Sequence, residues 1–322
     1  MTSVHSKTDS GIATAPTAPT VVACYSVFDH FFPALGFTDL TDGLYEGDPN
    51  RGYQHAQARQ AHVLLDRADV RPGVRLLDIG CGYGRILTAA QARGAKAWGI
   101  TVSPEQVKRN TAAELNVRLQ NYKHLGQEWD GQFDAVIANG SLEHFAQAED
   151  AVASRDDAIY RHLFETVHRL LAPNSHGAKF VTTAIHFRTR PDPNDLLKKP
   201  SAFPRGSSGF HWSRVHHSFG GWYPVFGQLE QCAEGLFRLV HQEDGTNDYR
   251  RTSEEWLTGT RRRLKSLAVV RVALAALPSF LSRPVHTARI LRCLLGSESW
   301  NWQFRGDPAP TQLLRQTWER VG

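Results

Sequence analysis

The stretch Leu76-Leu77-Asp78-Ile79-Gly80-Cys81-Gly82-Tyr83-Gly84 decides the fold. Its first half is an apolar, β-favouring run. Its second half places glycine at every other position, and the segment Arg85 to Arg93 follows directly with helical spacing. A strand that ends in glycines and opens a helix brings bare backbone against a ligand at the carboxyl edge of a parallel sheet. Glycines alone also serve a tight turn, so the neighbouring strand ends must decide between turn and site.

Outward from this loop, short β-rich runs alternate with longer polar and apolar segments, the pattern of a parallel sheet with crossover helices. Strands are expected at Arg75 to Ile79, Ala97 to Val102, Val117 to Tyr122, Phe133 to Ala138 and Lys179 to Ile185, with helices at Arg85 to Arg93, Pro104 to Leu115 and Asp156 to Leu171. The second helix opens with Ser103 as N-cap, Pro104 at its first position and Gln106 three residues after the cap, a capping box. Upstream, Ala56 to Arg67 has helical spacing, and Pro72-Gly73 punctuates the approach to the first strand. Downstream, His186 to Pro224 is dense in Pro, Gly, Ser, His and aromatics without a clear period, which reads as a lid or binding loop. Leu236 to Gln242 reads as a strand. Trp300, Trp302 and Phe304 alternate with polar residues, so these two segments are expected to close the sheet as its sixth and seventh strands. Between them, Ser253 to Leu295 reads as helical and strongly basic.

Composition narrows the class. With 322 residues, 41% of them hydrophobic, the chain can bury one large core. A net charge of +5 without a basic arm does not imply nucleic acid. Cys24, Cys81, Cys232 and Cys293 lie far apart, which gives neither a zinc or redox pair nor a secreted disulfide framework, and suits a reducing cytoplasm. Residues 1–20 lack a basic n-region and an apolar h-region and read as a disordered leader. Leu267 to Leu281 is broken by Arg271 and Pro278 and is shorter than the ~20 residues that span a bilayer, so no transmembrane helix is expected.

Two more segments fall at carboxyl ends of strands: Gly99-Ile100-Thr101-Val102-Ser103-Pro104-Glu105-Gln106 and Ala138-Asn139-Gly140-Ser141-Leu142-Glu143-His144. Together with GxGxG preceded by an acid, rather than the GxGxxG that seats a pyrophosphate, they favour S-adenosylmethionine. From Tyr25 to Trp256 the chain resembles the cyclopropane fatty acid synthase family of class I methyltransferases, which includes mycolic acid cyclopropane synthases and related lipid and amine methyltransferases. The resemblance is carried by Leu77 to Gly84, by Thr101 to Gln106, by Leu142-Glu143-His144, by Gly220-Gly221-Trp222-Tyr223-Pro224 and by Asp248-Tyr249-Arg250-Arg251-Thr252 with Trp256. It implies that Gly80, Gly82 and Gly84 line the methionine and ribose of the cofactor, and that Thr101 and Gln106 replace the usual ribose-binding acid. Tyr122 would stack by the adenine, Asn139 would present backbone near the methionyl group, and Asp78 would organise the loop and the cofactor's amino group. Tyr25 to Phe32 resembles the family's cofactor-covering helix, although Phe28 and Phe31 also suit plain core packing.

In cyclopropane synthases the nucleophile is an alkene, and a bicarbonate held by Cys, Glu, His and Tyr takes the proton from the methylated product. Glu143 and Tyr249 match that set, whereas Gly43 stands where the cysteine is expected and Thr182 where the histidine is expected. The expectation is that Glu143, with His144 and Tyr249, accepts a proton or orients the substrate directly, giving methylation without ring closure. Without the resemblance, Glu143 reads as a helix-cap carboxylate and His144 as a structural donor. The cluster His211, Trp212, His216, His217, Trp222 and Tyr223 reads as aromatic lining of the substrate pocket rather than a metal site, and no metal is expected.

The expected architecture is α/β: a doubly wound, mostly parallel seven-stranded, Rossmann-like sheet. A helical cover at 21–72 precedes a methyltransferase domain at 73–305, which carries a lid at 186–224 and a basic helical cap at 253–295, and a tail at 306–322 follows. The expected substrate is an alkene-bearing apolar molecule, such as an unsaturated fatty acyl lipid or prenyl compound. An N- or O-methyltransferase of a small natural product and a catalytically silent cofactor-binding protein remain alternatives. The basic cap suits either a solvated surface or peripheral contact with an anionic membrane, and the oligomeric state stays open.

Overall fold

The computed structural model describes residues 19–37, 39–173 and 178–321; residues 1–18 of the expected leader lie outside the described residues. In chain order, helices α1 (Pro19–Ala34) and α2 (Tyr53–Arg67) lead into strand β1 (Arg75–Ile79), α3 (Arg85–Ala92), β2 (Lys96–Thr101), α4 (Pro104–Ala112), β3 (Val117–Leu119) and β4 (Ala135–Asn139). Helices α5 (Ala148–Val152) and α6 (Asp156–Leu170) precede β5 (Lys179–Phe187), which is followed by α7 (Pro193–Leu197), α8 (Ser208–Phe219), α9 (Gln228–Ala233) and β6 (Phe237–Asp244). A helical cap of α10 (Thr246–Leu264), α11 (Ala268–Ser282), α12 (Pro284–Leu291) and α13 (Ser299–Trp302) then leads to β7 (Thr311–Arg320).

The strands form one seven-stranded sheet in the order β3-β2-β1-β4-β5-β7-β6. β1 to β5 are parallel, and β7 runs antiparallel to both β5 and β6. The inner parallel strands β1, β4 and β5 are buried on both faces, as crossover helices require, while the edge strand β3 is exposed. Leu77, Val136 and Phe180 join the cluster that contains α1, α6 and the cap, while Leu76, Ile137 and Val181 pack with Leu64, Leu65 and Leu87 of α2 and α3.

The expected start of α4 is present, with one change that matters for the site. Ser103 Oγ accepts the Gln106 amide at 3.2 Å, yet Gln106 does not reach back to the cap. Its Oε1 instead accepts from Thr101 Oγ1 at 2.6 Å. β3 is shorter than expected: it stops at Leu119, and Tyr122 opens a 3₁₀ turn over Tyr122–His124. The segment 186–224 is more ordered than its composition suggested, because Ser207 caps the twelve-residue helix α8 by accepting the Phe210 amide.

One expectation is overturned. Trp300 and Trp302 lie in α13 with Phe304 just beyond it, and the seventh strand is β7, within the segment read as a tail. β7 does not read as a strand in the sequence because its polar residues lie inside the protein. Arg315 is fully buried among carboxylates, and Gln316 Nε2 donates to Glu230 and Gln242.

Candidate active site

A cavity of about 220 Å³ opens at the carboxyl ends of β1, β2 and β4, and Asp78, Gly80, Gly82, Thr101, Gln106, Tyr122 and Asn139 all line it. Gly80 sits at φ +80°, and a Cβ there would come within 2.6 Å of Ser141 Cβ, so neither the conformation nor the space admits another residue. Gly84 does not share the wall that the resemblance gave it: its Cα faces Leu115 and Asn110, where a Cβ would meet side-chain atoms at 2.3 and 2.6 Å. It lets the start of α3 lie against the Asn110 and Leu115 side chains. Thr101 and Gln106 are both buried and hydrogen-bonded to each other, and Asn139 Oδ1 accepts from Thr183 Oγ1 at 2.5 Å and Gln60 Nε2 at 3.3 Å.

Asp78 is 1% exposed, and burial raises its carboxyl to about 7. Its Oδ1 has no hydrogen-bond partner, nor does the buried hydroxyl of Tyr122, whose ring packs on Phe145 at 4.3 Å. Buried polar atoms left unsatisfied in the protein call for a polar ligand. An acceptor at the glycine loop, an aromatic hydroxyl across the cavity and a Thr–Gln pair between them fit the amino group, nucleoside base and ribose of S-adenosylmethionine.

The cover is fastened by a residue that sequence reasoning missed. Asp29 of α1 accepts from Tyr83 of the glycine loop at 2.5 Å and from Ser103 at the start of α4 at 3.2 Å. A carboxylate inside an otherwise aromatic helix face was the available signal. Phe31 serves only the core, whereas Tyr25 and Phe28 also line cavities. The Tyr25 ring stands edge-on to His144 at 5.4 Å.

Behind the first cavity lies a smaller one of about 70 Å³ whose walls include Phe28, Phe32, Phe219, Trp256, Leu294 and Trp300. Glu143, His144 and Tyr249, the proposed chemical residues, line both cavities and so stand where the two meet. Glu143 is 4% exposed; its Oε1 accepts the Ile185 amide at 2.7 Å, and its Oε2 has no partner. Burial raises its carboxyl to about 7, and burial lowers His144 to about 4, so His144 is neutral at physiological pH.

The Gly220-Gly221 pair explains how Glu143 is held. Gly221 has φ +83°, and a Cβ there would lie 2.1 Å from the Glu143 carbonyl oxygen, which accepts the Trp222 amide at 3.0 Å. Of the lid cluster, only Tyr223 lines the second cavity. His211 stacks on Trp302 at 4.6 Å and contacts Ser299, while His216 and His217 bond to backbone carbonyls of Gly221 and Ser213. Trp222 packs on Phe187, and Trp212 on Phe187 and Trp302. Those residues pack among 186–224 and against Trp302 rather than forming the pocket surface.

The departures at 43 and 182 also acquire a geometry. A Cβ on Gly43 would sit 2.7 Å from Ala56 Cβ, so the loop has no room for a cysteine side chain pointing that way. Thr182 turns from the site, its Oγ1 accepting from Trp318 Nε1 at 3.1 Å, and the next residue, Thr183, lines the cavity instead. Beside Gly43, buried Asp42 reaches the first cavity and accepts from Gln60 and, at 2.7 Å, from Arg315. Arg315 also pairs with Asp248 at 3.0 Å and Glu243 at 3.2 Å. Nothing in the spacing of these residues joins them; β7 does.

The comparisons with known proteins agree with the fold that carries this cavity. Residues 16–273 match the family described as Mycolic acid cyclopropane synthetase. Cyclopropane mycolic acid synthase 3 of Mycobacterium tuberculosis is 25% identical over 250 residues, covering 74% of this chain and 80% of the relative. The cyclopropane synthase MmaA2 from Mycobacterium tuberculosis superposes with a TM-score of 0.71 at 18% identity, covering 95% of this chain and 99% of that one. The mycolic acid cyclopropane synthase CmaA1, complexed with SAH and CTAB, gives 0.69 at 20% identity, covering 94% and 98%. By that match over most of its length, and with a cavity at the carboxyl ends of the strands that suits the cofactor, the chain belongs to the mycolic acid cyclopropane synthetase family and is an S-adenosylmethionine-dependent methyltransferase.

Proposed function

We propose that the protein methylates a carbon of an alkene-bearing apolar substrate, an unsaturated fatty acyl lipid or a prenyl compound, without bicarbonate-assisted ring closure. The observation that carries this reading is the free Oε2 of Glu143, buried where the cofactor cavity meets an aromatic one. S-adenosylmethionine, when bound, supplies an electrophilic methyl group. The protein's task is then to align the nucleophile and exclude water. Phe28, Phe32, Phe219, Trp256 and Trp300 supply an apolar box, and their ring faces stabilise a carbocation formed as the alkene gains a methyl group. Loss of a proton from the adjacent carbon to Glu143 restores a double bond and leaves a methyl branch. Tyr249 and neutral His144 orient the substrate beside that carboxylate. The packing at Gly43 and the outward turn of Thr182 support the omission of bicarbonate. A lipid-like substrate also brings the protein to a membrane surface.

The same aromatic faces beside a carboxylate would bind an amine as its ammonium ion, and transfer of the N–H proton to Glu143 would free the lone pair that attacks the methyl group, which supports N-methylation as a second reading. Incubating the protein with methyl-labelled S-adenosylmethionine and either lipid extracts or an amine panel, with and without bicarbonate, separates these outcomes by mass spectrometry. A methyl-branched lipid formed without bicarbonate is expected. A bicarbonate-dependent cyclopropane would sink the first reading, a labelled amine would establish the second, and cofactor binding without transfer would leave a silent protein.

A further inference from the structure

The cap carries a surface that the methyl-transfer site does not use. Along α11 and the turn before it, Leu267, Val270, Leu274, Leu277 and Leu281 are exposed, Leu267 by 96% and Leu281 by 76%. Their spacing of three and four residues puts them on one side of a helix, directly opposite Val272, Ala276 and Ser279, which face the protein. Phe280 and Val285 widen the strip. Outside this segment, the exposed large apolar residues Leu119, Val152, Phe226, Val240 and Val321 are scattered singly among the described residues. A continuous strip marks an interaction surface, whereas scattered single residues are ordinary.

Charge identifies the occupant. No Asp or Glu occurs between Glu255 and Glu298, while Arg262, Lys265, Arg271, Arg283, Arg289 and Arg292 are all exposed. Two copies packed face to face would bring these cations together with no acids to offset them. An anionic lipid surface offers both the opposite charge and an apolar layer. The helix does not span such a layer. Its fifteen residues reach about 22 Å against a hydrocarbon core of about 30 Å, and α10 and α11 meet at 109°. Among the described residues, no single helix is long and apolar enough to cross a membrane.

We propose that the outer face of α11 docks on an anionic bilayer, its leucines in the acyl boundary and the flanking arginines and lysine at the headgroups. The assignment deepens the lipid-substrate reading and rests on it for its purpose, because the inner face of α11 packs on α1. There Ser279 Oγ approaches His30 Nδ1 at 3.4 Å, and α1 contributes Phe28 and Phe32 to the aromatic cavity. Docking therefore sets the substrate pocket beside the source of an apolar substrate.

The test is co-sedimentation of the full chain with phosphatidylcholine vesicles, with and without phosphatidylglycerol. It is run for the wild type and for Leu274→Glu combined with Leu281→Glu, with calorimetric cofactor binding as the check on folding. Expected is at least about tenfold stronger partition onto the anionic vesicles, weakened by salt, and loss of most of that binding in the double variant. Failure of the wild type to bind anionic vesicles, or equal binding by the variant, overturns the proposal. So does a dimer in solution that the double variant dissolves. Methyl transfer to detergent-dispersed lipid is measured in parallel: absence of transfer by both proteins defeats the functional reading while leaving the vesicle result to judge the docking surface.

Discussion

The two sides of the active site are built in different ways. The cofactor side draws on two short stretches: Asp78, Gly80 and Gly82 fall at the end of one strand and just beyond it, Thr101 and Gln106 at the end of the next and just beyond it, with Thr101 and Gln106 bonded to each other. The acceptor side gathers Asp42, Glu143, Thr183 and Tyr249 from four separate segments. It is held by long-range contacts, of which Gly221 under the Glu143 carbonyl and Arg315 beneath Asp42 are the clearest. A loop that works through its own backbone constrains its sequence. An assembly held at a distance constrains the fold more than the identity of each residue, and Gly43 and Thr182, where the resemblance led to the expectation of a cysteine and a histidine, lie on that side.

The strongest way to break this contrast is Arg315→Met. The guanidinium is fully buried and pairs with Asp42, Glu243 and Asp248, so its loss strands three carboxylates, among them Asp42, whose carboxyl burial already pushes up. A stability loss of about 3–5 kcal/mol is expected in urea denaturation, the cost of breaking a buried pair by removing one partner. Adding Asp42→Asn should recover part of it in a double-mutant cycle. If Arg315→Met were neutral, the acceptor side would not depend on β7.

This dependence also explains what could and could not be read from the residues alone. β1, β2, β4 and β5 carry short, mostly apolar, β-favouring runs, and Ser103-Pro104 announces α4, so most of the sheet and the whole glycine loop were legible. β7 was not, because Arg315, Gln316 and Thr317 are polar and buried, and the partners of Arg315 and Gln316 are remote in sequence. Trp300, Trp302 and Phe304 alternate like a strand, but a short helical turn displays the first and last of them on one side equally well. Without β7, Asp42 had no visible partner. Without knowledge of which face of β5 each residue takes, Thr182 and Thr183 could not be told apart.

A smaller expected effect sharpens the acceptor side. Glu143→Gln keeps the shape and an oxygen for the Ile185 amide but removes the base, so turnover should fall about 10²–10³-fold with cofactor binding unchanged. Wild-type turnover should rise with pH through about 7, where the carboxyl ionises, and the variant should lack that limb. Stability runs the other way. The carboxyl titrates near 4.5 when unfolded and near 7 when folded, so between these values the native state holds a proton that the unfolded chain has lost. Stability therefore falls as pH rises across that window, by on the order of 2–4 kcal/mol, and Glu143→Gln should be the more heat-resistant protein at pH values above it. A variant with full turnover would make Glu143 a structural acid.

Asp78→Asn tests the cofactor side with the smallest change expected. The free carboxyl is raised to about 7 by burial alone, and an ammonium group placed beside it would favour the ionised form. Binding below that pH must then release a proton, so wild-type affinity for S-adenosylmethionine should climb as pH rises toward 8, while the variant should bind about tenfold more weakly at the upper end and show little of that slope. Calorimetry in buffers of different ionisation enthalpy reads the proton directly. Should Asp78→Asn bind as tightly as the wild type at every pH, the loop would hold its ligand through the backbone at Gly80 and Gly82 alone. The contrast would then be sharper still, with backbone serving one side of the site and side chains the other.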